Sequence, residues 1–324
     1  MFNKSKIIEV NRLPNYSIQI LMTTYNGEKY IEKQLISLLN QTISNFQLMI
    51  YDDCSSDSTY SIVEKFIEAN DLDNWFLFKN SLNIGWKKNF IDALKATDAD
   101  IILFCDQDDI WEQDHVSIMV QAFTDNKIKL LCSNYVIIDD IDRIVDKKEQ
   151  FGNDGKISKI PLLPKNFNVL RPGCSYCLRG DFGRKIALSY WIPSYAHDEL
   201  MWQAAFLANG LYILDKKTLK YRRHESNASG AMKKRSEILD NLDDKISHLN
   251  KMIQYTKENN LDKQNQLSTL DRLKSFYILR KKAFSGHKIV SFFRCVTTYA
   301  NCYISWKHIV LDIKNFFFAG QKGI

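Results

Sequence analysis

The sequence predicts an α/β domain, a mostly parallel sheet flanked by helices, followed by a helical C-terminal extension. Three observations carry this. Apolar runs of strand length alternate with helical periodicity four times before residue 112. Each run leads into a polar loop, at 23–27, 52–57, 83–89 and 106–109. After Gly230 the strand-like patterning stops and long helical stripes replace it.

Ser17–Met22 alternates loosely and enters Thr23-Thr24-Tyr25-Asn26-Gly27, a turn by composition. Tyr30, Ile31, Leu35, Leu38 and Leu39 recur at helical spacing, predicting a first helix from Glu28 to near Asn40. Phe46–Tyr51 reads as a second strand and stops at Asp52-Asp53-Cys54-Ser55-Ser56-Asp57, which supplies candidate N-caps. A helix follows, with Ile62, Val63, Phe66 and Ile67 on one side. Trp75–Phe78 is the third strand, and Asn80–Gly85 turns into a helix containing Phe90, Ile91 and Leu94. Ile101–Cys105 is the fourth. Five apolar residues are too few for a helix and read as a strand buried on both faces. It ends in Asp106-Gln107-Asp108-Asp109. In an open α/β sheet the carboxyl edge is where ligands sit, so the four loops gather there into a composite pocket.

The second half is less regular. A helix is expected from Glu112 to about Asn126 and a strand over Lys129–Ile138. Asp139–Pro164 is polar and reads as an insertion or loop. Arg171-Pro172-Gly173-Cys174-Ser175 precedes a helix starting near Asp181. Trp191–Tyr195 leads into His197-Asp198-Glu199 and the apolar helix Leu200–Leu207. Leu211–Leu214 and Thr218–Arg222 read as two short strands of a hairpin, ending in Arg222-Arg223-His224. Ile238, Leu242, Ile246, Leu249 and Ile253 then form one stripe of a long helix, and Leu267, Leu270, Leu273 and Tyr277 mark a second. The organisation is a leader over 1–15, an α/β domain over 16–229 and a helical region over 230–324.

Composition sets outer limits. The 324 residues are 45% apolar and 25% charged, an ordinary globular balance. No run approaches the ~20 apolar residues that span a bilayer, and the first fifteen residues lack an apolar signal core. Seven scattered cysteines, an odd number, fit a reducing, cytoplasmic setting better than a disulfide framework. Cys174-Ser-Tyr-Cys177 is a single pair without a second, which argues against a zinc site. Residues 271–324 hold ten Lys/Arg against two Asp, a net +8, leaving −2 of the chain's +6 for the remainder. There the basic residues are interleaved with Phe284, Phe292, Phe293, Trp306 and Phe316–Phe318. That mixture suits an anionic membrane surface, a homodimer contact, or a helix folded on the body with solvated lysines. No nucleic-acid-binding motif accompanies it.

The acids at the fourth strand's end carry the chemistry. Three carboxylates within four residues raise one another's pKa unless a cation sits among them. Mg²⁺ and Mn²⁺ prefer such oxygens, often shared with a substrate phosphate. A solvated acidic loop that caps the next helix through Asp109 is the plainer alternative.

Thr24-Tyr25-Asn26-Gly27, Asp52-Asp53-Cys-Ser-Ser-Asp57, Asn83-x-Gly85, Asp106-Gln-Asp108-Asp109 and His197-Asp198 occur in an order and spacing that resemble family 2 glycosyltransferases of the GT-A fold. The match covers roughly residues 16–228. Phe-Cys-Asp-Gln-Asp-Asp-Ile-Trp, His-Asp-Glu and Tyr-Arg-Arg-His-Glu-Ser-Asn look like the rhamnosyltransferase-like branch. Cys54 departs from the family, which usually has Gly after the paired Asp, and puts the turn geometry in question.

The resemblance implies that Thr24, Tyr25, Asn26 and Asp53 hold the base and ribose of a dTDP- or UDP-linked sugar. Asn83, Gly85, Lys87 and Asn89 would line its far side, and Gln107, Gly173 and Cys174 would lie beside the donor. Asp108 would bind Mn²⁺ or Mg²⁺, Asp106 would be its ribose-side companion, and His224 would be a further ligand. Asp198 would be the base that deprotonates an acceptor hydroxyl. The implied reaction is metal-dependent, inverting transfer of a sugar, rhamnose being one candidate, to a growing surface glycan that is often lipid-linked. Peripheral attachment to the inner face of the membrane would follow. Each residue also has a plain role: strand-end packing for Tyr25, a helix cap for Asp53, a helix start for His197-Asp198-Glu199, a turn for Gly173, a solvated side chain for Lys87. Two other functions stay open: a phosphatase or phosphotransferase with Asp106 as nucleophile, and a non-catalytic nucleotide-binding protein at the membrane.

Overall fold

A computed structural model describes residues 15–145, 152–223, 235–286 and 288–318. The leader therefore lies outside the described residues, apart from Asn15. Four βα units open the chain: β1 (Ile18–Thr24), α1 (Ile31–Leu39), β2 (Gln47–Asp52), α2 (Thr59–Ala69), β3 (Trp75–Lys79), α3 (Trp86–Ala96) and β4 (Ile101–Asp106). The fourth unit closes with β5 (Ile110–Trp111) and α4 (His115–Gln121). There follow β6 (Leu130–Ile138), β7 (Ile157–Lys159), β8 (Tyr176–Arg179), α5 (Gly180–Tyr190), α6 (His197–Leu207) and β9 (Leu211–Arg222). The extension is α7 (Arg235–Glu258), α8 (Gln266–Gly286), α9 (Ile289–Thr298) and α10 (Trp306–Phe318).

The strands form one sheet in the order β3-β2-β1-β4-β8-β6-β9-β5, with β7 paired to β9. The first four are parallel, as the alternation of strands and helices predicts, whereas β8 is antiparallel to both β4 and β6. Side chains of β4 alternate between two apolar clusters. Ile102 and Phe104 join α3, α5 and α6 on one face, and Ile101, Leu103 and Cys105 join α1 and α4 on the other. This is why β4 reads as continuously apolar. The first cluster continues without a break into α7–α10 through Leu242, Leu249, Leu270, Phe276 and Phe284.

Two expected elements differ. The hairpin at 211–222 is one strand, β9, which runs parallel to β6 with register shifts at Ser133/Asn134 and Asn134/Tyr135. Its polar centre is accommodated by a bulge, where Asp215 accepts a 2.6 Å hydrogen bond from Asn134 Nδ2. The helix expected from Glu112 starts at His115 and ends at Gln121, with a 3₁₀ turn over Ala122–Thr124. Ile110 and Trp111 pair with β9, and Glu112 N–H donates to Thr218 O, so the chain stays extended there.

Candidate active site

The carboxyl ends of β1, β2 and β4 stop level with one another: Thr24 pairs with Asp52, and Thr23 with Asp106. Beyond them opens a cleft of about 400 Å³. Of the predicted residues, Thr24, Tyr25, Asp53, Asn89, Asp106, Gln107, Asp108, Gly173 and Asp198 line it. The four separate loops and α6 do converge.

Side chains within this edge divide into those facing the cleft and those holding the loops. Asn26, at φ +46°, accepts from Ser56 N–H through Oδ1 while its own N–H donates to Ser55 Oγ, clasping the β1 loop to the β2 loop. Gln107 accepts from Tyr25 N–H and donates to Tyr25 O, at 2.9 and 3.0 Å, and so pairs the β4 loop with the β1 loop. Its amide lies over Gly27, where a Cβ would sit 2.3 Å from Gln107 Oε1. Asp52 is a support, accepting from Thr24 Oγ1 and from Ser55.

Asp53 does not cap α2. Its carboxylate accepts from Ile84 N–H, Gly85 N–H and Asn80 Nδ2, which fixes the loop before α3. A carboxylate offers about four acceptor positions, so one remains for the cleft that Asp53 lines. Cys54 adopts φ +62°, the left-handed region that glycine favours, so the cysteine takes the backbone conformation a glycine would supply there. Gly85 has φ +82° with open space around its Cα, so backbone conformation is what requires glycine there. Asn83 is exposed and accepts from Gly85 N–H. Lys87 Nζ donates to Ser194 O at 2.9 Å and so holds the segment before α6. Neither Asn83 nor Lys87 lines the cleft itself.

The acids behave differently from one another. Burial, then Asp108 and Asp198, push Asp106 up to about 7. Asp109 is fully buried and does not cap a helix, contrary to the expectation for it. Its Oδ1 accepts from Arg222 N–H at 2.9 Å, and its Oδ2 is buried without a hydrogen-bond partner. Burial and the neighbouring Asp108 and Asp106 raise it well above the carboxylate range. Ligand atoms of Asp106, Asp109 and Cys174 lie within 4.8 Å of one another. A cluster of carboxylates whose ionisation burial and mutual repulsion disfavour, one oxygen of it orphaned, fits a divalent cation. Cys174 is buried, and burial with the nearby acids keeps its thiol protonated. Arg222 is buried and latches the acidic loop through Nε to Asp108 O and through NH1 to Asp139 O and Asp142. His224 lies outside the described residues.

Asp198 occupies the first turn of α6, with Oδ1 accepting from Glu199 N–H. Burial and Glu199 raise it to about 6, opposed by Lys87. His197 beside it is buried, stacked on Phe90 at 4.0 Å and edge-on to Phe104 at 4.7 Å. Burial lowers it to about 3, so the ring is neutral. Gly173 presses directly on this pair. Sequence reasoning missed Trp86, Phe90, Pro172, His197 and Tyr221 as cleft residues. Trp86 follows Gly85, and His197 and Tyr221 lie inside the His-Asp-Glu and Tyr-Arg-Arg-His motifs without having been given a role in the cleft.

The family model for glycosyl transferase family 2 matches residues 19–185, just over half of the chain. This chain is a family 2 glycosyltransferase. It is 30% identical over 225 residues to the dTDP-rhamnosyl transferase RfbG of Shigella flexneri, covering 65% of this chain and 74% of that one. It is 27% identical over 235 residues to the UDP-Glc:alpha-D-GlcNAc-diphosphoundecaprenol beta-1,3-glucosyltransferase WfgD of Escherichia coli, covering 70% and 87%. Staphylococcus aureus TarS 1–349, solved with UDP, superposes with a TM-score of 0.59 at 21% identity over 93% of this chain and 89% of that one. The Pyrobaculum calidifontis mannosyltransferase PcManGT, solved with GDP-Man and Mn²⁺, gives 0.52 at 13% over 94% and 88%. The fold is GT-A. Family membership removes the phosphatase and the non-catalytic readings. Among the described residues no helix is long and apolar enough to cross a membrane.

Proposed function

We propose that this glycosyltransferase transfers a sugar from a dTDP- or UDP-linked donor to a hydroxyl of a surface-polysaccharide acceptor, with inversion at the anomeric carbon. The observation that carries the reading is Asp198: a carboxylate raised to about 6, in the same cleft as the strand-end acids. At neutral pH it is ionised yet basic enough to take the acceptor's proton. A single displacement on the face opposite the leaving diphosphate inverts the configuration, through an oxocarbenium-like transition state.

Tyr25 packs on the base, and the remaining acceptor position of Asp53 takes the base N–H. Gly173 leaves room for the sugar, with Trp86 and Phe90 on the same cleft wall. Asp106 and Asp108 would hold Mn²⁺ or Mg²⁺, with Asp109 fixing the loop behind them. The cation supplies Lewis-acid neutralisation of charge on the departing diphosphate. A relative that uses dTDP-rhamnose and another that uses UDP-Glc on a lipid-diphosphate acceptor support this donor class and a lipid-linked glycan acceptor. Rhamnose is the first sugar to test.

Purified protein with Mn²⁺ is incubated with dTDP-rhamnose and UDP-hexoses, and nucleoside diphosphate release is measured. Turnover of one donor is expected, abolished by Asp108→Ala and reduced about 10²–10⁴-fold by Asp198→Asn. Neither binding nor turnover of any donor would sink the proposal. Undiminished turnover in Asp198→Asn would remove that residue from the role of base.

A further inference from the structure

The outer surface of α9 and α10 is apolar where a solvent-facing helix is ordinarily polar. On α10, Trp306, Val310, Ile313 and Phe317 fall at steps of four, three and four, and each is exposed, Trp306 by 69%. The opposite side of the same helix is spent on the body: Asp312 pairs with Arg280 and accepts from Tyr303 OH, and Phe316 stacks on Phe292 at 4.2 Å. On α9, Ile289 and Phe293 face outward while Phe292 and Cys295 are buried. Phe292 touches both Phe293 and Phe317, with ring centroids 6.3 and 6.1 Å apart, so the two outward stripes meet in one patch.

The exposed charges that this segment carries have one sign. Lys282, Lys288, Arg294, Lys307 and Lys314 are exposed, and the one acid between residues 280 and 318, Asp312, is buried in its ion pair. We infer that α9 and α10 form a membrane-docking face that inserts Trp306, Phe317 and Phe293 into the interface of an anionic bilayer, with the surrounding cations on lipid phosphates. A second copy of the chain fits less well. A two-fold contact would bring the same patch against itself, setting five like charges opposite five with no exposed acid of this segment to answer them. No described helix is long and apolar enough to span, so α9 and α10 would lie in the plane of the interface. This inference stands on the patch alone and does not require any particular donor or acceptor.

Flotation of the full chain with vesicles of phosphatidylcholine, with and without 30% phosphatidylglycerol (roughly the anionic content that gives a sizeable surface potential), tests it. Binding to the anionic vesicles is expected, weakened by high salt and nearly lost on phosphatidylcholine alone. Lys307→Glu with Lys314→Glu should lower the partition coefficient at least about twentyfold, since each cation near an anionic surface contributes roughly a fivefold factor. Trp306→Ser with Phe317→Ser should lower it at least about tenfold through lost apolar insertion. Circular dichroism and nucleoside diphosphate release confirm that these surface variants stay folded. No partition of the parent chain onto anionic vesicles overturns the inference, as does partition unchanged in both double variants. A dimer in solution that Trp306→Ser dissociates would assign the face to a second copy and also overturn it.

Discussion

Gly173→Ala tests whether Asp198 is held in place by contact from across the cleft. A Cβ added at Gly173 would lie 2.8 Å from His197 Nε2 and 3.1 Å from the Cβ of Asp198. The first distance is about 0.6 Å short of ordinary contact, which begins near 3.4 Å. His197 has nowhere to retreat, because its ring is stacked on Phe90 and set against Phe104. The first turn of α6 must therefore move, and Asp198 moves with it. Overpacking of this kind costs about 1–3 kcal/mol of stability. A misplacement of about 1 Å at a reacting group costs about a hundredfold, so a shift of half that size should lower kcat roughly tenfold or more. The nucleotide side of the cleft is built from other loops, so nucleoside diphosphate affinity should change less than about threefold, within the usual scatter for separated sites. Steady-state kinetics with calorimetric nucleotide titration reads both. A variant with kcat within about twofold of the parent would show that this contact does not set the position of Asp198.

Two further outcomes follow from the buried acids. A base must be ionised, and Asp198 is held at about 6, so kcat should fall about tenfold per pH unit below that value and level off above it. A pH–rate profile checks this, and an acid limb that persists in Asp198→Asn would assign it to another group. Asp106 at about 7 and the raised Asp109 have folded-state values above those of the unfolded chain. Without a cation, the stability they contribute is present in acid and is lost as pH rises through about 7. A cation binds the ionised cluster and displaces its protons, so the rise in Tm on adding Mn²⁺ should be larger at about pH 8 than at about pH 5.5, on either side of the Asp106 value. Equal shifts at both pH values would place Mn²⁺ elsewhere.

The first half of the chain was legible because its strands lie between two helical layers. Burial on both faces makes β4 continuously apolar, and short polar loops then mark its carboxyl end without ambiguity. The second half was harder for identifiable reasons. Asp215-Lys216-Lys217 has the composition of a hairpin turn, yet it is the bulged centre of β9, held by the Asn134 side chain of β6 and by Asn153, Gly155 and Lys156 just before β7. Asp109 precedes residues with helix-like patterning, but the partner that claims its carboxylate, the Arg222 backbone, lies 113 residues later. Asn26 has the chemistry of a ligand contact and spends it on a neighbouring loop. In each case the deciding partner is remote in sequence, which periodicity and local motifs do not report.

Position in the sequence also disguised what α7 does. It begins beyond the family match, yet it bears on the segment that delivers Asp198. His248 stacks on Tyr195 with ring centroids 3.5 Å apart, Lys245 approaches Glu199 at 3.9 Å, and Glu258 accepts from Tyr190 OH at 2.7 Å. Leu242, Leu249 and Met252 join the same apolar cluster as Trp202 and Phe206 of α6. Ending the chain at residue 229 would strip this cover from α5 and α6. Each large apolar side chain left in water forfeits roughly 1.5–3 kcal/mol, so three or four of them exceed the 5–15 kcal/mol margin of a typical domain at its lower end. The shortened chain should be insoluble or lack a cooperative thermal transition, and it should release no nucleoside diphosphate. Recovery of a soluble, cooperatively melting and active 1–229 fragment would mean that α6 keeps Asp198 in place without α7, and the helical region would then serve only the surface it presents outward.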